Sequence, residues 1–192
     1  MDFVTSLLAS FLYIFFIIDP FYSLPIFAVM TRKFNDAEAK KAARDSVLIA
    51  GIIAVAFLFC GSLILSFMGI TLESFKVAGG IILALFGIET VLGIKIGKGK
   101  ADEKQVVTAL IATPILTGPG LITALIIMSK EIGYVEPLLG ILLALFISWL
   151  MLDNAKKVVK LLGYGVIDIL AKVLGLFLVA IGVSLMMGGL GL

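Results

Sequence analysis

Histidine is absent from this 192-residue sequence, and cysteine occurs once, at Cys60. Without histidine, the side chain that most often acts as a general base or metal ligand is missing. A single cysteine excludes an internal disulfide and a paired-thiol relay. The sequence also contains no HExxH or GxSxG motif and no Walker A loop. We therefore expect no enzyme activity, no nucleotide-driven pumping by this chain alone, and neither a metal nor another cofactor.

Charge is also scarce, because 15% of the residues are charged while 61% are hydrophobic. The mean hydropathy is +1.22, and a soluble domain of this length cannot bury so much apolar surface. A helix needs about 20 apolar residues to cross a bilayer. The sequence therefore predicts an all-α, polytopic helical membrane protein. Its six expected spans lie near residues 3–30, 46–68, 75–94, 106–129, 135–153 and 172–191.

The basic residues predict the orientation. Of the fifteen Lys and Arg, all but Lys76 and Lys130 fall in the connectors after spans one, three and five. Basic connectors stay on the cytoplasmic side, so we expect a multi-pass protein of the cell membrane with both termini outside. Short basic connectors beside a membrane indicate contact with lipid headgroups and not with nucleic acid. Residues 156–170 are expected to form a short amphipathic piece in the membrane interface.

Two of the predicted spans contain paired prolines. The first reads IIDPFYSLPIFAV over residues 17–29, and the fourth reads IATPILTGPGLIT over residues 111–123. In this register Pro20 aligns with Pro114 and Pro25 with Pro119. Three spans per half place the halves in opposite orientation, so we predict a 3+3 inverted repeat with broken first and fourth helices. Its parts are residues 1–94 (spans one to three), a cytoplasmic connector 95–104, and residues 105–192 (spans four to six).

The segments IDPFYSLPIF, FKVAGGIILALFGIE and TPILTGPGLIT resemble, in that order, the hallmark segments of the MarC family of membrane proteins. The six-span layout of that family covers essentially the whole chain. The family looks related to the superfamily of LysE-type amino-acid exporters. Its better-understood archaeal members are SnatA-type transporters of small neutral amino acids. The resemblance implies the fold and, more loosely, a substrate class.

A broken helix in lipid is tolerated only where protein or a watered cavity satisfies its freed backbone groups. Glycines on both sides of Pro119 are expected to allow unusual backbone conformations and close approach of a ligand. A half-helix beginning near Leu121 would direct its amides at a carboxylate. Carbonyls freed before the prolines would hold an ammonium group. The predicted substrate-binding residues are Asp19, Pro20, Ser23, Pro25, Thr113, Pro114, Thr117, Gly118, Pro119, Gly120 and Thr123.

Asp19 lies near the middle of the first span, where an ionised carboxylate is costly and is usually functional. Three interpretations remain open: a proton carrier, a counter-charge for a substrate ammonium group, and a capping residue for the helix after Pro20. Glu89, near the end of the third span, is a second candidate for ion coupling, although its carboxylate is also within reach of Lys95.

The leading hypothesis is a secondary active transporter of small neutral amino acids, such as glycine and alanine, working by alternating access. Protons are the expected coupling ion, in symport, because of Asp19; sodium held by carbonyls and hydroxyls remains the alternative. The alternative function is an exporter or channel for another small polar metabolite or drug. Expected partners are the amino acid and membrane lipid, and the glycine-rich spans are compatible with a homodimer.

Overall fold

The computed structural model describes residues 3–31, 33–93 and 118–192, and these residues are helical, with no strand among them. The connections at residues 68–71, 132–134 and 154 are short, as expected for neighbouring spans that run in opposite directions. The helices of the described ranges are α1 (Phe3–Ile18), α2 (Pro20–Met30), α3 (Asp36–Phe67), α4 (Leu72–Leu92), α5 (Pro119–Glu131), α6 (Val135–Asp153) and α7 (Ala155–Leu190).

Five stretches of the described chain are long and apolar enough to cross a membrane. They are α1 together with most of α2, then α3, α4, α6 and α7. Large apolar side chains on their outer faces are exposed, for example Phe67 at 91%. In lipid such faces need no cover, since the acyl chains are equally apolar. The predicted fourth span begins outside the described residues, and α5 forms its second half.

Local capping explains where α3 begins. The span was predicted from residue 46, but the helix starts at Asp36 because Asn35 and Glu38 form a capping box. The Glu38 amide donates to Asn35 Oδ1 at 2.8 Å, and the Asn35 amide donates to Glu38 Oε2 at 3.0 Å. This reciprocal pair satisfies two amides that a helix start leaves open. The first turns of α3 therefore precede the apolar stretch.

The last helix begins earlier than predicted, at Ala155 in place of residue 172. Its φ and ψ are non-helical at Gly163, at 76° and 155°, a conformation that glycine adopts without strain. The turn at Gly163 separates a lysine-rich first piece from the long apolar piece. Of the amphipathic segment expected over residues 156–170, the first part is a short helix that ends at this glycine, and residues 164–170 belong to the long apolar piece.

Close packing joins α4 to α7 through glycine. A Cβ atom on Gly80 would lie 2.5 Å from the carbonyl oxygen of Gly182, and one on Gly87 would lie 2.6 Å from that of Gly175. Only glycine allows two helix backbones to approach so closely in a membrane. The pairs 80 with 182 and 87 with 175 also show that the two helices run antiparallel.

Ion pairs mark the two ends of the bundle. Lys76 at the start of α4 meets Glu131 at the end of α5, with 2.6 Å between Nζ and Oε1. At the opposite end, Lys40 of α3 lies 3.9 Å from Asp153 of α6, and Lys156 lies 3.2 Å from Asp36. Exposed pairs of this kind contribute little stability, about 0 to 1 kcal/mol. They define a Lys76 end and a Lys40 end of the molecule.

Candidate functional site

The first span is interrupted at one residue, Asp19, which separates α1 from α2. Its φ is +42°, and within the described residues it is the one non-glycine position with positive φ. Aspartate is among the few residues that enter this left-handed region readily. Pro20 follows as the first residue of α2, where its missing N–H costs nothing because that amide would have no helical partner.

The carboxylate of Asp19 caps α2. Its Oδ1 accepts a hydrogen bond from the Tyr22 amide at 3.1 Å, and the Ser23 hydroxyl donates to the Asp19 carbonyl at 3.2 Å. Asp19 is 1% exposed, and its second oxygen, Oδ2, is buried with no hydrogen-bond partner among the described residues. The capping interpretation is therefore confirmed. The proton-carrier and counter-charge roles stay predictions, and Oδ2 is the atom on which they depend.

Pro25 does not break the span a second time. It lies inside α2, which continues without interruption from Pro20 to Met30. The predicted break of the first span therefore falls at Asp19, and a helix can enclose Pro25 because the missing bond is confined to one carbonyl. That carbonyl belongs to Phe21, four residues earlier, which has no Pro25 amide to bond.

The second break comes before α5. Gly118 is the N-cap and Pro119 the first helical residue, so the half-helix begins two residues before its predicted start. No side chain within residues 3–31, 33–93 and 118–192 caps it. The Gly118 carbonyl accepts the amides of Leu121 and Ile122 at 3.0 and 3.2 Å. The φ of Gly118 is −61°, a value open to any residue. The expectation that glycine provides an unusual conformation here is wrong.

Glycine at position 120 serves helix packing. A Cβ atom there would collide with the side chain of Leu83 on α4, with Cγ only 2.6 Å away. One turn further along α5, the Thr123 side chain occupies the space above Gly79. Gly79 therefore contacts a predicted substrate-binding residue. The start of α5 is thus fitted against α4.

Helix α4 brings the two breaks together. Leu83 faces Gly120 at the start of α5, and Phe86, one turn later, makes an edge-to-face contact with Tyr22 of α2 at 5.7 Å between ring centroids. Residues three apart on a helix share a face. The first turns of α2 and α5 therefore lie on the same side of α4, as sequence reasoning had required of the two breaks.

The predicted register of the two breaks stays a prediction. Pro20 and Pro119 each begin a helix, but Pro114, the expected counterpart of Pro20, lies outside the described residues, as do Thr113 and Thr117. The described site residues fall in two groups, Asp19, Pro20, Ser23 and Pro25 in the first span and Gly118, Pro119, Gly120 and Thr123 at the second break.

Tyr22 is a site residue that sequence reasoning missed. Its amide bonds Asp19, and both Asp19 and the half-buried Glu89 lie within electrostatic range of its hydroxyl. Glu89 is on α4, one turn beyond Phe86. The sequence signal for Tyr22 was its position three residues after Asp19, because a capping aspartate accepts a hydrogen bond from the amide at that position. Lys95, the other expected neighbour of Glu89, lies outside the described residues.

Together these features define a class: an integral membrane protein of apolar helices in which one span is broken at a buried, half-satisfied carboxylate. The sequence matches the model of the MarC family integral membrane proteins over residues 4–191. The chain belongs to the MarC family, which confirms the resemblance stated from the sequence.

Similar proteins occur in archaea and bacteria. A UPF0056 membrane protein of Methanocaldococcus jannaschii is 36% identical over 190 residues, which cover 92% of each chain. One from Archaeoglobus fulgidus is 35% identical over 95% of this chain and 91% of its own. One from Aquifex aeolicus is 31% identical over 98% of this chain and 94% of its own. No solved structure matches the chain.

Proposed function

We propose that the protein is a proton-coupled secondary transporter that moves small neutral amino acids, such as glycine and alanine, across the cell membrane by alternating access. The likeness of its hallmark segments to those of SnatA-type transporters suggests the substrate class. The observation that carries the proposal is the pair of helix starts, at Asp19–Pro20 and Gly118–Pro119, on one side of α4.

The start of α5 is the proposed seat of the substrate carboxylate. A helix N-terminus carries about half a positive charge and unbonded amides. Pro119 has no N–H, so the first amide of α5 is that of Gly120. Among the described residues, no side chain caps this end. A ligand carboxylate would complete it in the way that the Asp19 carboxylate completes α2.

The first break is the proposed seat of positive charge. Pro20 has no amide for the Phe16 carbonyl, and the Tyr22 amide donates to Asp19 in place of the Ile18 carbonyl. Acceptors therefore gather around Asp19. A zwitterion would meet donors at one break and acceptors at the other, and the small side chains of Ser23 and Thr123 beside the breaks favour a small substrate.

The packing pattern supports an inverted repeat. The first span packs on α6 and α7, while α5 packs on α3 and α4, the corresponding helices of the other half. The third spans of the two halves, α4 and α7, pack on each other. Exchanging the two halves converts the contact between Gly80 and Gly182 into the contact between Gly175 and Gly87. Antiparallel packing of α4 and α7 is the orientation that an inverted repeat requires.

Membrane orientation is tested by cysteine labelling. We expect the Lys40 end to face the cytoplasm because it is rich in lysine. After Cys60→Ser, cysteines at Asp36 and Lys156 should react only from the inside, and cysteines at Leu72 and Tyr134 only from the outside. Labelling of position 36 from outside intact cells would refute both the orientation and the expected position of the termini.

Transport itself is tested with purified protein in liposomes loaded to give a proton gradient, a sodium gradient or neither. Driven accumulation of labelled glycine or alanine under the proton gradient alone supports the proposal. Downhill flux without accumulation would indicate a channel, and transport of neither amino acid would refute the substrate class. Glycine methyl ester, which lacks the carboxylate, should compete poorly because the start of α5 would have no anion to hold.

A further inference from the structure

The oxygen atom Oδ2 of Asp19 has an unusual position. Asp19 is 1% exposed, and among the described residues no donor bonds Oδ2. The Phe21 amide also faces the carboxylate but makes no hydrogen bond with Oδ2. A buried carboxylate oxygen without a donor is costly. Oδ2 therefore has no partner in the part of the chain that the structure describes.

The donors of Tyr22 and Ser23 beside this carboxylate are already used. The Tyr22 amide bonds Oδ1 at 3.1 Å, and the Ser23 hydroxyl and amide both donate to the Asp19 carbonyl at 3.2 Å. The end of α1 adds acceptors only, because the carbonyls of Phe16 and Ile18 lack their usual helical donors. A set of oxygens without donors suits a group that brings its own hydrogen atoms and positive charge.

We propose that Asp19 Oδ2 is one seat that a proton and the primary ammonium group of an amino acid occupy in turn, so that substrate binding releases a proton. This inference rests on the proposed function and specifies its coupling. An ammonium group carries three N–H donors and can bond Oδ2 together with carbonyls at the end of α1. A proton bound to Oδ2 removes the negative charge and fills the position where the first donor would lie.

Competition for one seat has a direct consequence for transport. The proton and the substrate cannot cross together on Asp19, so coupling through this residue is an exchange of amino acid for proton. Symport, which was expected from the sequence, would require the transported proton to bind at a residue other than Asp19. The two schemes predict opposite effects of pH on substrate affinity.

Other titratable groups could produce a pH effect and must be distinguished. Tyr22 on α2 and Glu89 on α4 are the groups near Asp19. On the other helices packed against α2, Asp153 of α6 and Asp168 of α7 are paired with Lys40 and Lys172 at helix ends. Glu89→Gln is therefore the matched control for Asp19→Asn. The asparagine keeps an oxygen that can cap Tyr22 but cannot carry the proton.

The experiment measures glycine binding to purified protein in weakly buffered detergent, with a pH indicator to count released protons. At pH values where free Asp19 holds its proton, about one proton should leave per glycine bound, and the apparent Kd should rise about tenfold for each unit of pH decrease. Asp19→Asn should abolish proton release and the pH dependence, whereas Glu89→Gln should keep both.

Each other outcome overturns the inference. Binding by the wild type without proton release refutes the shared seat and leaves the proposed function standing, while no binding of any neutral amino acid refutes both. Loss of proton release in Glu89→Gln assigns the proton to Glu89. Trimethylglycine, which has the charge but no N–H donors, should bind poorly, and binding equal to that of glycine refutes the hydrogen-bonded seat. Competition by sodium in place of protons assigns the seat to a metal cation.

Discussion

The two prolines that begin α2 and α5 are preceded by different residues, an aspartate in one case and a glycine in the other. Asp19 brings a carboxylate that bonds the Tyr22 amide at 3.1 Å. Gly118 brings no side chain, and its helix has no side-chain cap from the part of the chain that the structure describes. The same element, a helix that starts inside the bundle at proline, therefore occurs once with its own anion and once without.

This difference assigns opposite preferences to the two breaks. A helix start that already has a carboxylate repels a second one, and the oxygen left over at Asp19 attracts a cation. The start at Gly118 attracts an anion. A zwitterionic amino acid has one group for each, whereas a net anion or a net cation would satisfy only one break.

The first prediction makes the second break resemble the first. Gly118→Asp should reduce glycine binding by at least about 100-fold, because a carboxylate on the protein would occupy the amides that the substrate carboxylate needs. Stability should be kept or slightly raised, since Gly118 has an ordinary φ of −61° and aspartate is a good N-cap.

Isothermal calorimetry and thermal unfolding of the same detergent preparation measure both effects. Gly118→Asn is the matched control, because it caps the helix without a negative charge and should lose much less affinity. Equal glycine affinity in Gly118→Asp and the wild type would show that the start of α5 does not hold the carboxylate.

The second prediction separates packing from binding at the neighbouring glycine. Gly120→Ala should destabilise the protein by about 1–3 kcal/mol, the usual cost of overpacking, because the new methyl group meets Leu83. In Gly120→Ala with Leu83→Ala, stability and glycine binding should both return toward those of Leu83→Ala alone, since the methyl group points at α4. If the double variant recovers the stability of Leu83→Ala but binds glycine more weakly than Leu83→Ala does, position 120 also lines the substrate seat.

The third prediction removes the anion from the first break. Asp19→Ala should cost about 1–3 kcal/mol of stability, the sum of a lost helix cap and the strain of alanine at φ +42°. Asp19→Asn should cost much less, because asparagine caps helices and tolerates positive φ. Thermal unfolding of both variants measures the difference. Equal destabilisation would mean that the charge, and not the cap, contributes the stability of this break.

Much of this architecture could be predicted from the sequence. Apolar stretches located the spans, with residues 135–153 matching α6 in both bounds, because hydrophobic length is set by the bilayer. The break at Asp19 and the start of α5 beside Pro119 were also predicted, since aspartate and proline restrict the backbone locally. Capping moved the start of α3 by ten residues, from 46 to 36, which hydropathy does not detect.

The interpretation of individual glycines and prolines was less successful. Pro25 was grouped with Pro20 in the broken first span but lies inside a continuous helix, and Gly118 was expected to allow an unusual conformation and does not adopt one. Whether a helix tolerates a proline, or needs a glycine, depends on what lies beside it in three dimensions. Leu83 beside Gly120 and Thr123 beside Gly79 are such neighbours, and they are distant in sequence.

The last prediction concerns the smallest effect on binding, at the contact between the second break and α4. Gly79→Ala places a methyl group 2.6 Å from Thr123 Cβ, an atom that rotation of the Thr123 side chain does not move, so α5 must shift and we expect a loss of about 1–3 kcal/mol. Gly188→Ala is the matched control, because a methyl group there meets nothing within 4 Å and alanine favours helix by about 0.5–1 kcal/mol. If Thr123 must shift, Gly79→Ala should also lower glycine affinity slightly, and Gly79→Ala with Thr123→Ser should recover part of the stability because serine lacks the methyl group. Thermal unfolding and binding of the three variants provide the measurement. Unchanged affinity in Gly79→Ala, together with the stability loss, would place Thr123 in the packing of α5 and outside the substrate seat.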